Sequence, residues 1–219
     1  MTPPDERDPG APATARDPLP IRKVVIALTI QAVVMVALGY GLWRWSGRAS
    51  ADFVRFAGSE ALLGLALGGS LITVAWAAFR LLPGIADALV RMQAKTYGFL
   101  GGKIGLPAIV AISMAAGIGE EALFRAGLQT YLSDWVGVPM AIALASAAFA
   151  AVHLARPVIS LMLFLVGGLF GVVYWQTGSL LAVMIGHALY DVWALRYLLD
   201  QFVRLGLVGE PLANEPRDS

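Results

Sequence analysis

Six hydrophobic runs, each close to the length that crosses a lipid bilayer, restrict this chain to very few architectures. They cover about Val24–Trp43, Ala61–Phe79, Ile104–Tyr131, Pro139–Leu154, Val158–Trp175 and Leu180–Leu199. A spanning helix needs roughly 20 apolar residues, because lipid offers backbone N–H and C=O groups no partners outside their own segment. The fourth and fifth runs are short and little more than Arg156-Pro157 divides them, which predicts a tight helical hairpin. There is no β-barrel alternation and no repeat of fixed period. The expected fold is all-α, a polytopic transmembrane bundle of about six spans.

Composition agrees. Of 219 residues 58% are hydrophobic and only 14% charged, far from the balance of a soluble domain. A net charge of +1 without a basic patch argues against nucleic acid as a partner. Cysteine is absent, which excludes disulfides, thiolate nucleophiles, Cys-based metal sites and lipidation on Cys.

Residues 1–20 are rich in Pro, Asp and Arg with no apolar core, and read as a disordered tail, not a signal peptide. Residues 21–103 hold two spans and a connection, 104–199 the remaining spans, and 200–219 a polar carboxyl-terminal tail. Within the connection, Pro83–Lys103 sets Ile85, Leu89, Met92 and Tyr97 among Arg91 and Lys95. That pattern suits an interfacial amphipathic helix; a plain loop and an extension of the second span are the alternatives. Arg16, Arg22 and Lys23 before the first span, and Arg80, Arg91, Lys95 and Lys103 after the second, outnumber the basic residues of the first connection (Arg44, Arg48, Arg55). The loop around Gln176–Ser179 has none. This bias places both termini in the cytoplasm.

The ionisable residues inside these runs fall into three short groups: Glu120-Glu121 with Arg125, His153 preceded by Phe149, and His187 followed by Asp191. Both histidines of the chain are among them. Ionisable groups at bilayer depth are costly and are usually functional. Glu121 and Arg125 lie four apart in the favourable acid-first order, leaving Glu120 without a dedicated cation, as a general base requires. Phe149 sits one turn before His153 and walls its ring from lipid, and Asp191 sits one turn after His187, where it can orient the imidazole. With a helical rise of 1.5 Å per residue, Glu120, His153 and His187 fall within about 10 Å of one another in depth. Taken singly, each group also has a structural reading, as a snorkelling carboxylate, a packing histidine or a polar pair between helices. Three such groups on three helices point instead to an intramembrane hydrolytic site.

Other intramembrane protease chemistries lack their signatures. There is no His-Glu-x-x-His zinc motif and no Gly-x-Ser-Gly. Tyr190-Asp191 follows Gly117-Ile118-Gly119-Glu120 in the wrong order for an aspartyl pair.

The pattern resembles the CAAX-protease and bacteriocin-processing (CPBP, also called Abi) family of intramembrane proteases. Its Glu-Glu-x-x-x-Arg motif matches Glu120 to Arg125, its Phe-x-x-x-His motif matches Phe149 to His153, and its His-x-x-x-Asn/Asp motif matches His187 to Asp191. The three stand in the family's order between about Ile104 and Leu199. The resemblance implies an all-helical membrane endopeptidase acting on a peptide or protein in or near the bilayer. It assigns Glu120 and His153 to water activation and His187 with Asp191 to the oxyanion, with Glu121 and Arg125 completing the catalytic set. Two departures stand out: Ala126 follows Arg125 where Gly is common, and Asp191 replaces the commoner Asn. A charged carboxylate is a poor oxyanion donor, so Asp191 must be protonated or act through His187. The residues leave the metal question open. Glu120, His153 and His187 would form a His₂Glu zinc set with an open fourth position, but a metal-free site with no cofactor is favoured. Rival functions are a catalytically silent scaffold or immunity protein of the same fold and a proton-coupled transporter, although the inverted repeats of the latter are not seen. The expected location is a bacterial plasma membrane.

Overall fold

The computed structural model describes residues 20–100 and 104–207. The tail expected over residues 1–20, apart from Pro20, Lys103, and the polar tail beyond residue 207 lie outside the described residues. Eight α-helices run in order: α1 (Ile21–Trp45), α2 (Gly58–Leu81), α3 (Pro83–Tyr97), α4 (Leu106–Glu121), α5 (Thr130–Val136), α6 (Val138–Val152), α7 (Pro157–Thr177) and α8 (Leu180–Arg204). No strand occurs among the described residues. Between α4 and α5 the helix continues as a π-helical stretch, Ala122–Gln129, so α4 to α5 is one rod.

Local chemistry sets the breaks. Proline occupies the first turn of α3, α4, α6 and α7, where its missing N–H would have had no partner anyway. Gly178 at φ +62° closes α7 in the left-handed conformation. The Ser179 hydroxyl then accepts a hydrogen bond from the Ala182 N–H at 3.1 Å and caps α8.

Four helical segments are long and apolar enough to cross a membrane: α1, α2, the α4–α5 rod (Leu106–Val136) and α7. Of the six expected spans, the other two are α6, with 15 residues, and α8, whose 25 residues are interrupted by His187, Asp191, Arg196 and Asp200. The outward faces of α1, α2 and α7 carry exposed apolar side chains such as Ile30, Val33, Leu62, Val74, Leu161 and Leu165. Such a surface is stable in lipid and aggregates in water, so this is an integral membrane protein.

The α4 rod and α8 form the centre. Helix α8 packs on α2 and α4, α1 lies along α4 and the π stretch, and α6 pairs with α7. Two glycines just before Glu120 on α4 permit close crossings. A Cβ on Gly117 would stand 2.9 Å from the Ala188 nitrogen of α8, and one on Gly119 would stand 2.8 Å from the Ala32 Cα of α1. Small residues at such crossings let helix backbones approach closely. Helix α1, which precedes the stretch carrying the three motifs, is thus wedged against α4.

The amphipathic segment is helical as α3. Its buried face is Ala86 and Val90, while Ile85 is exposed. Val90 joins Ile104, Ile109, Leu199 and Phe202 in an apolar cluster, and Asp87 pairs with Arg204 at the end of α8. So α3 covers one end of the bundle.

Candidate active site

The carboxylates sit where α4 passes into the π stretch. A π turn leaves backbone groups shifted by one residue, and here the Thr130 hydroxyl donates to the Arg125 carbonyl at 3.1 Å. Single π turns inside α-helices occur mostly at functional sites. The side chains of Glu121 and Arg125 are completely buried. Arg125 Nε donates to Glu121 Oε2 at 3.1 Å, and Glu121 Oε1 meets His187 Nδ1 at 2.8 Å. The guanidinium also lies 5.4 Å from the centre of the Phe149 ring and reaches Ser146 Oγ at 3.5 Å. The second partner of Glu121 comes from 66 positions away in sequence and was not foreseen.

Glu120 points the other way. Its Oε2 lies 3.8 Å from His187 Nε2 and 4.0 Å from His153 Nε2. These separations are too long for direct hydrogen bonds, yet one bridging water fits such a gap. Asp191 Oδ2 stands 3.4 Å from His187 Nε2. The structure therefore brings Glu120, Glu121, Arg125, His153, His187 and Asp191 into one connected cluster from three helical segments.

Ring orientation follows from the second nitrogen of each imidazole. His153 ends α6 and its Nδ1 lies 2.7 Å from the Phe149 carbonyl, one of the last carbonyls of the helix, which need outside donors. A carbonyl only accepts, so Nδ1 carries the hydrogen and Nε2 faces Glu120. The next residue, Leu154, has φ +48°, a conformation that a branched side chain adopts at a cost and that clusters at functional sites. His187 is fixed by Glu121 on Nδ1 and by Phe170, stacked on its ring at 5.3 Å and 12°. Phe149 lies 4.8 Å from the His153 ring centre and 6.2 Å from that of His187.

A cavity of about 430 Å³ opens beside this cluster. Glu120, His153, His187 and Asp191 line it; Glu121 and Arg125 do not. Arg125 holds Glu121, as their spacing predicts, but buried behind Phe149 it lies outside the cavity wall. The cavity continues along α4 and α8 towards α3, with Ser113, Val90 and Tyr97 in its wall, and α1 contributes Leu28, Gln31, Ala32 and Met35. Of these only Tyr97 was named from sequence, as part of the amphipathic segment. A lone carboxamide in an apolar run was the available signal for Gln31, passed over because only ionisable groups were sought.

Among the described residues no group of three or more His, Cys, Asp or Glu side chains is arranged to hold a metal ion. The chemistry derived below runs through no metal ion.

Comparison with known proteins bears on the same stretch. Residues 102–193 match the family model described as type II CAAX prenyl endopeptidase Rce1-like. The chain is also 32% identical over 92 residues to the uncharacterized protein YpbD of Bacillus subtilis (strain 168), an alignment covering 41% of this chain and 44% of that protein. The chain thus spans less than half the length of this relative. No solved structure matches. The matched stretch begins just before α4, ends beyond Asp191, and contains every member of the cluster. Residues 102–193, the segment that carries the buried cluster and most of its cavity, are thus similar to the type II CAAX prenyl endopeptidase Rce1-like family.

Proposed function

We propose that this protein is an intramembrane endopeptidase in which Glu120 activates water against a peptide bond held in the cavity. The observation that carries the reading is the approach of Glu120 Oε2 to the Nε2 atoms of both histidines, at 3.8 and 4.0 Å, in the wall of the cavity. A water between Glu120 and His153 gives its proton to Glu120, and its oxygen bonds to the scissile carbonyl carbon. The developing oxyanion receives a hydrogen bond from Nε2–H of His187. Glu121 on Nδ1 and Asp191 beside Nε2 hold that ring in its donating form, so Asp191 acts through His187, not as a donor itself. Collapse of the intermediate breaks the C–N bond, and the proton on Glu120 passes to the leaving nitrogen. Arg125 neutralises Glu121 and keeps the column in register. The substrate must be unwound, since a helical peptide hides its carbonyls.

The protein would reside in a bacterial plasma membrane with both termini cytoplasmic. The Lys/Arg distribution supports that orientation, and terminal reporter fusions reading periplasmic would refute it.

The test is cleavage of short apolar reporter peptides by the purified protein in proteoliposomes. Turnover that survives dialysis against a strong chelator supports the metal-free route, whereas loss restored by zinc alone replaces it with a metal-dependent one. A wild-type protein that binds these peptides without cutting them is a scaffold, and one that moves protons down a pH gradient is a transporter.

A further inference from the structure

Gln31 is a carboxamide in the middle of α1, among Ile30, Val33 and Val34, which turn outward with 60%, 64% and 51% exposure. Its side chain is exposed as theirs are, yet with Leu28, Ala32 and Met35 it lines the cavity holding Glu120. The helix crossing fixes how near it stands: Ala32 is the residue packed against Gly119, so α1 meets α4 one position from Glu120 on one helix and one position from Gln31 on the other. Inside the protein the carboxamide has a single weak partner, the Met35 thioether, with Nε2 3.8 Å from Sδ. Sulfur is a poor acceptor, and hydrocarbon offers none. A polar group left this way at bilayer depth is costly unless something polar comes to it.

We propose that Gln31 binds the backbone of the substrate peptide next to the scissile bond, a role that rests on the endopeptidase reading above. A primary carboxamide presents a donor and an acceptor in one plane, the pattern a single peptide unit needs. An extended peptide entering the bilayer brings its N–H and C=O groups unpaired. Much of the cavity wall is apolar, with Met35, Met162, Leu163 and Val166 among its lining, so the ligand class is an extended segment with apolar side chains. Ser113 offers a second neutral contact further along. It lies in the same wall on the Glu120 face of α4, seven residues earlier, and its buried hydroxyl has no partner. Seven residues of helix rise roughly 10 Å, the length of about three extended residues. Gln31 and Ser113 would thus engage peptide units about three residues apart. Gln31 lies outside the stretch matched to the family, so this contact belongs to the chain's own amino-terminal helix.

Two measurements decide it. In the first, Gln31→Leu is compared with wild type on an apolar reporter peptide in proteoliposomes. The loss of one uniform backbone contact raises KM about fivefold to tenfold and leaves kcat unchanged. The melting temperature does not fall, because leucine suits the span better, whereas a merely structural role would lower it and spare KM. A kcat/KM within about twofold of wild type overturns the proposal. The second measurement needs no turnover. The chain has no cysteine, so Gln31→Cys with Glu120→Gln carries one thiol in a protein that leaves the peptide intact. With an added thiol oxidant to accept the two electrons, reporter peptides with a single cysteine moved along their length form a disulfide with it most at one position, and about fivefold less one residue to either side, because alternate side chains of an extended chain point oppositely. A flat trapping profile overturns the proposal. If the wild-type protein cuts no peptide, the endopeptidase reading falls and the trapping profile alone judges Gln31.

Discussion

Two adjacent glutamates divide the centre of this molecule into a dry region and a wet one. Glu121 belongs to a sealed column in which Arg125, His187 and the Phe149 and Phe170 rings fill every direction. Glu120, one residue earlier, keeps 14% of its side chain exposed and faces the cavity with no direct hydrogen bond to either histidine. The same functional group is structural on one side of the helix and chemically available on the other. Burial and pairing, more than residue type, separate the two roles.

The sharpest way to break this contrast is to neutralise each carboxylate in turn. Glu120→Gln keeps shape and volume but removes the proton acceptor. Peptide cleavage should fall about 10²- to 10⁴-fold, the usual contribution of a general base, with the melting temperature in detergent nearly unchanged. Cleavage at the wild-type rate would remove Glu120 from the chemistry and dissolve the distinction.

The dry side answers to stability instead. Arg125→Met leaves Glu121 charged and buried with only His187 to balance it, a change that costs about 3–5 kcal/mol when one partner of a buried pair is lost. Adding Glu121→Gln to Arg125→Met should recover part of that loss, because the stranded charge is gone. Denaturation of the single and double variants measures both numbers, and strict additivity would show that the two side chains are not acting as a pair.

Half of this division is readable from the chain. The spacing of Glu121 and Arg125, Phe149 and His153, and His187 and Asp191 each spans one helical turn, so each local pair is visible once the hydrophobic runs reveal helices. The runs themselves are legible because lipid admits no backbone without internal hydrogen bonds. What stays hidden is every contact made across helices. Glu121 gains His187 only when α8 lies on Gly117. Along the π stretch Thr130 donates to the Arg125 carbonyl and Gln129 Nε2 donates to the Gly171 carbonyl of α7 at 2.9 Å. No periodicity announces that. The part played by α1 escaped for another reason, since its contribution is the smallness of Gly39 and Ala32 and the neutral amide of Gln31, none of which carries charge.

The crossing of α4 and α8 joins the two regions and can be wedged apart. Gly117→Val adds bulk where a Cβ already meets the Ala188 nitrogen at 2.9 Å. Overpacking of this kind costs about 1–3 kcal/mol. The same displacement moves His187 away from both glutamates, so cleavage should drop along with stability, unlike Glu120→Gln. If thermal stability falls while kcat stays at the wild-type value, the His187 contacts do not depend on this crossing.

The smallest effect belongs to a pair that resembles the buried one in chemistry and differs only in surroundings. Arg48 grips Asp134 with two hydrogen bonds of 2.8 Å at the end of the bundle far from α3, linking the α1–α2 connection to α5. Its geometry is better than that of Arg125 and Glu121, yet the side chains are 31% and 44% exposed. The carboxylate holds the Arg48 guanidinium above its already high usual pKa through that hydrogen bond, so the ion pair persists across the working pH range. Solvent and salt nonetheless screen it, and such pairs contribute about 0–1 kcal/mol. Arg48→Ala should therefore lower the melting temperature slightly, by an amount that shrinks as salt is raised, with cleavage unaffected. A loss as large as that of Arg125→Met would mean that this end of the bundle is as dry as the centre, and that distance from water does not separate the two arginines.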